Sequence, residues 1–373
     1  MKFSINRKFF LDKLNIVSRS ISVFSPLPAL SGICIKVEDN RIILTGSDSN
    51  ISIRSTIVPN EENELKIDST GSIIIESKYL LEIVRKLDSQ SLQFDLIDLT
   101  KVCISNNKGK FNLNGIESNE YPNIDFSIPG TKICLKSEEL KQIYSQTAFA
   151  CSDKDTRPVL NGVNFKTNGN ILSCSGTDSY RLARKTVEIN GNYNFNITIP
   201  NKSLSEVVKS LSDSDEYVDL YIDSKKIQFV FNQTVIQSRL IDGIFPDIDR
   251  IIPTTQISSM CVSSHEMASV IDRTNFIRNE KIHLIKLECS ESETHIKTSS
   301  TEIGNSDEIL STCEYTGEPI RLSCNGTYML EAIRALSGDK VKLEFAGLMK
   351  PIKISNPDDD SALMIVVPVR SYD

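Results

Sequence analysis

Three histidines in 373 residues, His265, His283 and His295, all in the last third of the chain, leave little from which to build proton-transfer chemistry. No Gly-x-Ser-x-Gly elbow, Walker A loop, His-Glu-x-x-His or Gly-x-Gly-x-x-Gly run occurs. The usual signatures of serine hydrolases, P-loop NTPases, zinc peptidases and dinucleotide-binding enzymes are thus missing. The nine cysteines are odd in number and form no Cys-x-x-Cys pair, which reads as reduced thiols in a cytoplasmic protein, without a zinc site or disulfide framework. No apolar run approaches the roughly 20 residues that cross a bilayer. The opening "MKFSINRKFF" lacks the layout of a secretory signal. A basic excess is absent too: 42 Lys and Arg stand against 49 Asp and Glu, for a formal charge of −7. Taken alone, that counts against a simple nucleic-acid binder. No cofactor, metal or membrane partner is expected, and the aspartates of "NPDDDSA" (356–362) read as a solvated acidic loop.

What the chain does contain is itself, three times. "LPALSGICIKVEDNRIILTGSDSNISI" (27–53) matches "RPVLNGVNFKTNGNILSCSGTDSYRLA" (157–183) at an offset of 130, placing Leu30 on Leu160, Gly46 on Gly176 and Asp48 on Asp178. "IIIESKYLLEIVRKL" (73–87) matches "ITIPNKSLSEVVKSL" (197–211), with Glu82 on Glu206, and "YPNID" (121–125) matches "FPDID" (245–249). A fainter third copy includes "IRLSCNGTYMLEAIRAL" (320–336), with Glu331 in the place of Glu206. Such a period predicts three units of similar build, 1–126, 127–252 and 253–373. In each, amphipathic helical segments alternate with strands whose apolar residues recur every second position. In the first helix Phe10, Leu14 and Val17 form the buried stripe. Two helices packed on antiparallel sheets, three times over, is an α+β architecture.

Charge is segregated along this pattern. The helical segments 7–21, 77–87, 137–150, 201–211, 263–278 and 326–336 carry thirteen basic and eight acidic residues, and the remainder is strongly acidic. Either these helices share a face toward a polyanion, or their lysines simply solvate each helix.

"TRPVLNGV" (156–163), "TDSYRLA" (177–183), "GIFPDIDRIIP" (243–253), "RNEK" (278–281) and "VVPVRSY" (366–372) together resemble, in order and over the whole chain, the bacterial sliding clamps, the beta subunits of DNA polymerase III. The resemblance implies a non-catalytic processivity factor of three repeated clamp domains. Two copies would join head to tail in a ring whose helices surround double-stranded DNA. Implied partners are the DNA polymerase III alpha subunit, the clamp loader and other proteins with a clamp-binding motif. The DNA-facing cations it implies are Arg7, Lys8, Lys13, Arg19, Lys78, Arg85, Lys86, Lys141, Lys154, Arg157, Lys202, Lys209, Arg273 and Arg334. Phe24 stands near where clamps often have an arginine. At the subunit boundary Phe111 would meet Phe276 and Ile277, unless these are ordinary core.

Within "GTDSYRLA" the Gly and Asp-Ser recur in "GSDSNISI" and read as turn chemistry. Tyr180, Arg181 and Leu182 do not recur, and they suit peptide recognition better than catalysis. By the resemblance, Leu160, Thr177, Ser179, Tyr180, Arg181, Leu182, Pro246, Arg250 and Ile251 line an apolar cleft. Pro351, Ile365, Val366, Val367, Pro368, Val369 and Arg370 complete it. Val367 and Val369 replace the methionines many clamps have there, giving a stiffer wall. The alternative for "IVVPV" is a plain buried strand.

Overall fold

A computed structural model describes residues 1–22, 25–154, 156–277 and 282–370; Phe24 and the "RNEK" segment lie outside the described residues. Six helices are present among them: α1 (Arg7–Ser18), α2 (Ser77–Lys86), α3 (Ser137–Thr147), α4 (Asn201–Ser210), α5 (Ser264–Thr274) and α6 (Gly326–Ala335). Each follows a short strand directly, and side-chain caps mark several of the changes. Asn6 Oδ1 accepts from Phe9 N at 3.2 Å, Ser263 from Glu266 N, and Asn325 from Thr327 N, satisfying amide donors left free in a first helical turn. The predicted α1 stripe is buried: Phe10, Leu14 and Val17 have no exposed surface.

All strand pairs in the four sheets are antiparallel. One five-stranded sheet runs Lys66–Ser69, Lys2–Asn6, Ser91–Leu96, Lys101–Ser105, Lys110–Asn114. An eight-stranded sheet runs Thr131–Lys136, Tyr217–Ile222, Lys226–Phe231, Thr234–Arg239, then Ile51–Ile57, Arg41–Ser47, Gly32–Glu38, Gly71–Glu76. A second runs Asn196–Pro200, Gly162–Thr177, Arg181–Tyr193, then Asp359–Val366, Ile352–Asn356, Lys340–Phe345, Ser258–Ser263, Glu314–Gly317. A four-stranded sheet runs Gly304–Ile309, Thr294–Ser300, Leu284–Cys289, Ile320–Asn325.

The two large sheets each join strands of neighbouring repeats. Ser55 pairs with Thr234 and Ile51 with Ser238 in one, Arg181 with Val366 and Leu182 with Ile365 in the other. By packing, the chain forms two compact units, Met1–Ser137 with Lys202–Leu240 and Glu138–Asn201 with Ile241–Asp373. The central repeat therefore contributes strands to both units, because interstrand hydrogen bonds cross the repeat boundaries. In the first unit Phe3 stacks on Phe94 at 5.0 Å, and Phe10 meets both rings edge-on. In the second, Met267, Ile271, Met329, Ile333, Leu343 and Met364 share one core.

Candidate peptide cleft, cationic face and subunit edge

The two copies of the Gly-x-Asp-Ser element fold into one turn. Asp48 Oδ1 accepts from Asn50 N and Ile51 N at 3.0 and 2.9 Å; Asp178 Oδ1 accepts from Tyr180 N and Arg181 N at 2.9 and 3.0 Å. Ser49 and Ser179 both adopt positive φ, 76° and 79°, which the aspartate bonds compensate. The preceding glycines permit a close approach. A Cβ on Gly46 would lie 2.7 Å from the Val17 carbonyl oxygen, and one on Gly176 would lie 2.3 Å from that of Thr147.

From this turn the strand Arg181–Tyr193 runs beside Asp359–Val366. Side chains alternate across the sheet, so directly opposed residues share a face. Leu182 and Ile365 are opposed, and with Leu363 they form a small apolar cluster against which Ile248 and Ile252 pack. On the other face, Ala183, Met364 and Val366 belong to the main core. Val366 is thus core, a correction to its expected place in the cleft wall. Arg181 is opposed to Val366 and turns the same way. Its guanidinium lies over the Tyr328 ring at 4.3 Å and near Phe149 at 5.6 Å. Its Nε donates to Asp178 at 3.0 Å and its Nη1 to Glu331. With 12% of its side chain exposed, Arg181 ties the turn to α6. Burial pushes the Tyr328 hydroxyl pKa up, with Asp178 and Glu331 adding to it and Arg181 opposing, and burial pushes the Cys151 thiol, near Arg181 and Asp178, to about 12.

The remaining cleft residues divide by exposure. Tyr180 (62%), Ile251 (40%) and Val369 (40%) present apolar surface; Ser179, Arg250 and Arg370 are exposed, and Pro246, Pro351 and Val367 half-buried. Leu160, Thr177 and Pro368 are buried beneath them. Val367 N donates to Tyr180 O at 3.0 Å and Val369 N to Ser323 O at 2.8 Å, so the tail from 367 to 369 is pinned beside the turn. Arg250 pairs with Asp247 at 2.9 Å. Ile248, Ile252 and Leu363 were not anticipated. Their signal was available, since "DIDRIIP" and "SALMIVV" place apolar residues on alternate or helical positions beside the named ones.

The expected cations are not equivalent. Lys13 is 9% exposed, and desolvation lowers its pKa despite nearby Asp215, Glu62 and Asp12, so it is a buried stem rather than a surface charge. Arg7 donates to the carbonyls of Ser89, Val84 and Arg85 and closes the C-terminal end of α2. Lys13 is thus buried and Arg7 half-buried, with its guanidinium held against α2. Arg19 and Lys209 pair with Glu206, Lys202 with Asp48, Lys86 with Glu82, Arg273 with Glu308 and Arg334 with Asp272. Lys141 is half-buried. Lys8, Lys78, Arg85, Lys154 and Arg157 are exposed and form no close salt bridge among the described residues, though Lys78 and Arg85 act on Glu82 at longer range.

Phe111 (42% exposed) lies on the edge strand Lys110–Asn114, and Phe276 (58%) just beyond α5. Ile277 is 1% exposed: its side chain packs within its own subunit, which corrects its placement on the interface. All nine cysteines are free thiols. Among the described residues no group of three or more His, Cys, Asp or Glu could hold a metal ion, and no helix is long and apolar enough to cross a membrane.

Residues 1–125, 134–247 and 249–370 match the N-terminal, central and C-terminal domains of the DNA polymerase III beta subunit. The chain is 34% identical to the beta sliding clamp of Staphylococcus epidermidis over 376 residues and 34% identical to that of Bacillus subtilis over 379, with all of each chain covered. The crystal structure of the Bacillus subtilis DNA polymerase sliding clamp superimposes with a TM-score of 0.96 at 33% identity, all of both chains covered. The DNA polymerase III beta chain of Streptococcus pneumoniae gives 0.96 at 31%, covering 99% of this chain and all of the other. The chain, with its three clamp domains of helices on antiparallel sheets, belongs to the DNA polymerase III beta subunit family, the bacterial sliding clamps.

Proposed function

We propose that this sliding clamp is a processivity factor whose two copies close head to tail around duplex DNA, slide without reading sequence, and tether the replicative polymerase. The observation that carries this is a pair of unmatched sheet edges. At each repeat boundary inside the chain, the strand after the Gly-x-Asp-Ser turn pairs with the last strand of the next repeat: Ile51–Ile57 with Thr234–Arg239, and Arg181–Tyr193 with Asp359–Val366. The remaining members of the two series are Gly304–Ile309, at the edge of the four-stranded sheet, and Lys110–Asn114, at the edge of the five-stranded sheet. Pairing one with the other across two subunits removes both edges, and a heterologous contact repeated by a two-fold closes a ring. Phe111 and Phe276 then lie at that boundary.

The exposed cations Lys8, Lys78, Arg85, Lys154 and Arg157 contact phosphates, giving sequence-independent, salt-sensitive association. Enclosure rather than affinity retains the ring on DNA. Partner proteins (the polymerase III alpha subunit, the clamp loader and others carrying a clamp-binding motif) insert a short peptide over Leu182, Leu363 and Ile365, between Tyr180, Pro246, Ile251 and Val367. Apolar walls with few polar groups suit such an anchor. The protein acts in the cytoplasm as an accessory subunit without catalysis of its own, and its domains are 1–126, 127–252 and 253–373. The test is retention on DNA: loaded protein stays on nicked circles and leaves on linearisation. Equal retention on linear DNA with free ends rejects enclosure.

A further inference from the structure

The ring reading specifies strand pairing at the subunit boundary but not the helix layer beside it. The internal repeat supplies that layer. Arg19, Phe149 and Phe276 each stand twelve residues after the first residue of α1, α3 and α5; Glu82, Glu206 and Glu331 are each the sixth residue of α2, α4 and α6. Ile51, Arg181 and Ile303 each precede the residue at which the boundary strand first pairs back across its hairpin: Ser52 with Ser47, Leu182 with Thr177 and Gly304 with Ser300.

Inside the chain, each boundary gives its glutamate one arginine, taken from alternative positions. At the first, Arg19 reaches Glu206 at 3.3 Å and the turn offers Ile51. At the second, the helix end offers Phe149 and the turn offers Arg181, which bonds Glu331 and lies over Tyr328. The third boundary falls between copies, and both donor positions there are apolar: Phe276 and Ile303. The glutamate position opposite them is Glu82, already paired with Lys86 at 2.6 Å. Tyr79 occupies the position of Tyr328, the third residue of its helix. Phe276, Ile303 and Tyr79 are 58%, 56% and 48% exposed.

Resting on the ring reading, we propose that a second copy of this chain covers these side chains, with Tyr79 packing on Phe276 and Ile303 of the partner subunit. The subunit boundary is then closed by an apolar contact where the two internal boundaries use an arginine–glutamate pair. Apolar burial, unlike exposed ion pairing, is not screened by salt, so this contact tolerates high ionic strength.

The experiment combines Tyr79→Cys with Phe276→Cys and treats the full chain with a short bismaleimide. A covalent dimer whose tryptic digest contains the 79–276 cross-link supports the contact. A dimer by light scattering without that cross-link overturns it and leaves the ring reading standing. A monomer for the unmodified chain throughout the micromolar range overturns both. As a second measure, Tyr79→Asp raises the dimer dissociation constant roughly tenfold or more, as for a buried aromatic anchor, while Tyr217→Asp, at a tyrosine 51% exposed elsewhere, leaves it unchanged. Equal effects of the two substitutions reject the contact.

Discussion

Arg181 bonds Glu331 from a strand turn, whereas Glu206, the counterpart of Glu331, takes its arginine from the helix side, at Arg19. Two repeats of one fold thus keep an ion pair while moving the cation from one element to another. The exchange also fixes what Arg181 does: its charge is directed toward α6, away from the face that carries Leu182 and Ile365.

Arg181→Ala should therefore act first on stability. It leaves Asp178 and Glu331 without their shared partner and removes the cation between two rings, for a loss of about 1–3 kcal/mol. The check is the urea midpoint of the substituted chain. Arg181→Lys should rescue little, since a point charge cannot serve two carboxylates and stack on Tyr328 at once. An unchanged midpoint for the alanine variant would show the pair to be idle.

Peptide docking is better probed at the exposed wall. Tyr180→Ala and Ile251→Ala remove surface at side chains 62% and 40% exposed and should leave thermal stability close to that of the parent. Affinity for a peptide carrying the polymerase's clamp-binding segment should fall by about 5- to 30-fold, corresponding to roughly 1–2 kcal/mol for an anchor position. Titration calorimetry on both variants decides this, and parental affinity in both would move the cleft elsewhere.

For DNA, the exposed Lys8 and Arg157 should matter and the buried Lys13 should not. Lys8→Gln and Arg157→Gln should each lower the slope of log affinity against log salt by about 1 when that residue meets a phosphate. Lys13→Gln should leave the slope alone. The measurement is binding of a short duplex at several salt concentrations.

Acid stability has a named contributor in Glu266. Burial raises its pKa, but hydrogen bonds from the hydroxyl and amide of Thr312 and of Ser311 outweigh this and hold it at about 2, against 4.5 for a free glutamate. A folded-state pKa below the unfolded one stabilises above about pH 4.5, and that contribution is lost as pH falls toward 2. Glu266→Gln should lower the melting temperature at pH 7, and the gap to the parent should close between pH 4.5 and pH 2. A gap that persists at pH 2 would assign the effect to packing.

The sequence discloses whatever depends on neighbours within one repeat. Asp48 and Asp178 were readable because each acts on amides two and three residues along. Gly46 and Gly176, expected as turn glycines, instead lie in strands and serve close approach to the repeat's first helix, while Ser49 and Ser179 take the positive φ. Phe10, Leu14 and Val17 were readable too. The destination of Arg181 was not readable, because its facing depends on register with Val366, far along the chain. Lys13 and Ile277 were misplaced for a related reason: helix position alone does not say which long-range element covers a side chain. Strand pairing across repeat boundaries was likewise hidden, since periodicity marks a strand but not its partner.

That pairing has a mechanical consequence. Each internal boundary is a ladder of five opposed residue pairs, from Ser55 and Thr234 to Ile51 and Ser238 and from Arg181 and Val366 to Lys185 and Ala362. A pull along the strands loads these rungs together in shear instead of peeling them one at a time. Under tension of that kind each boundary holds as one unit rather than rung by rung.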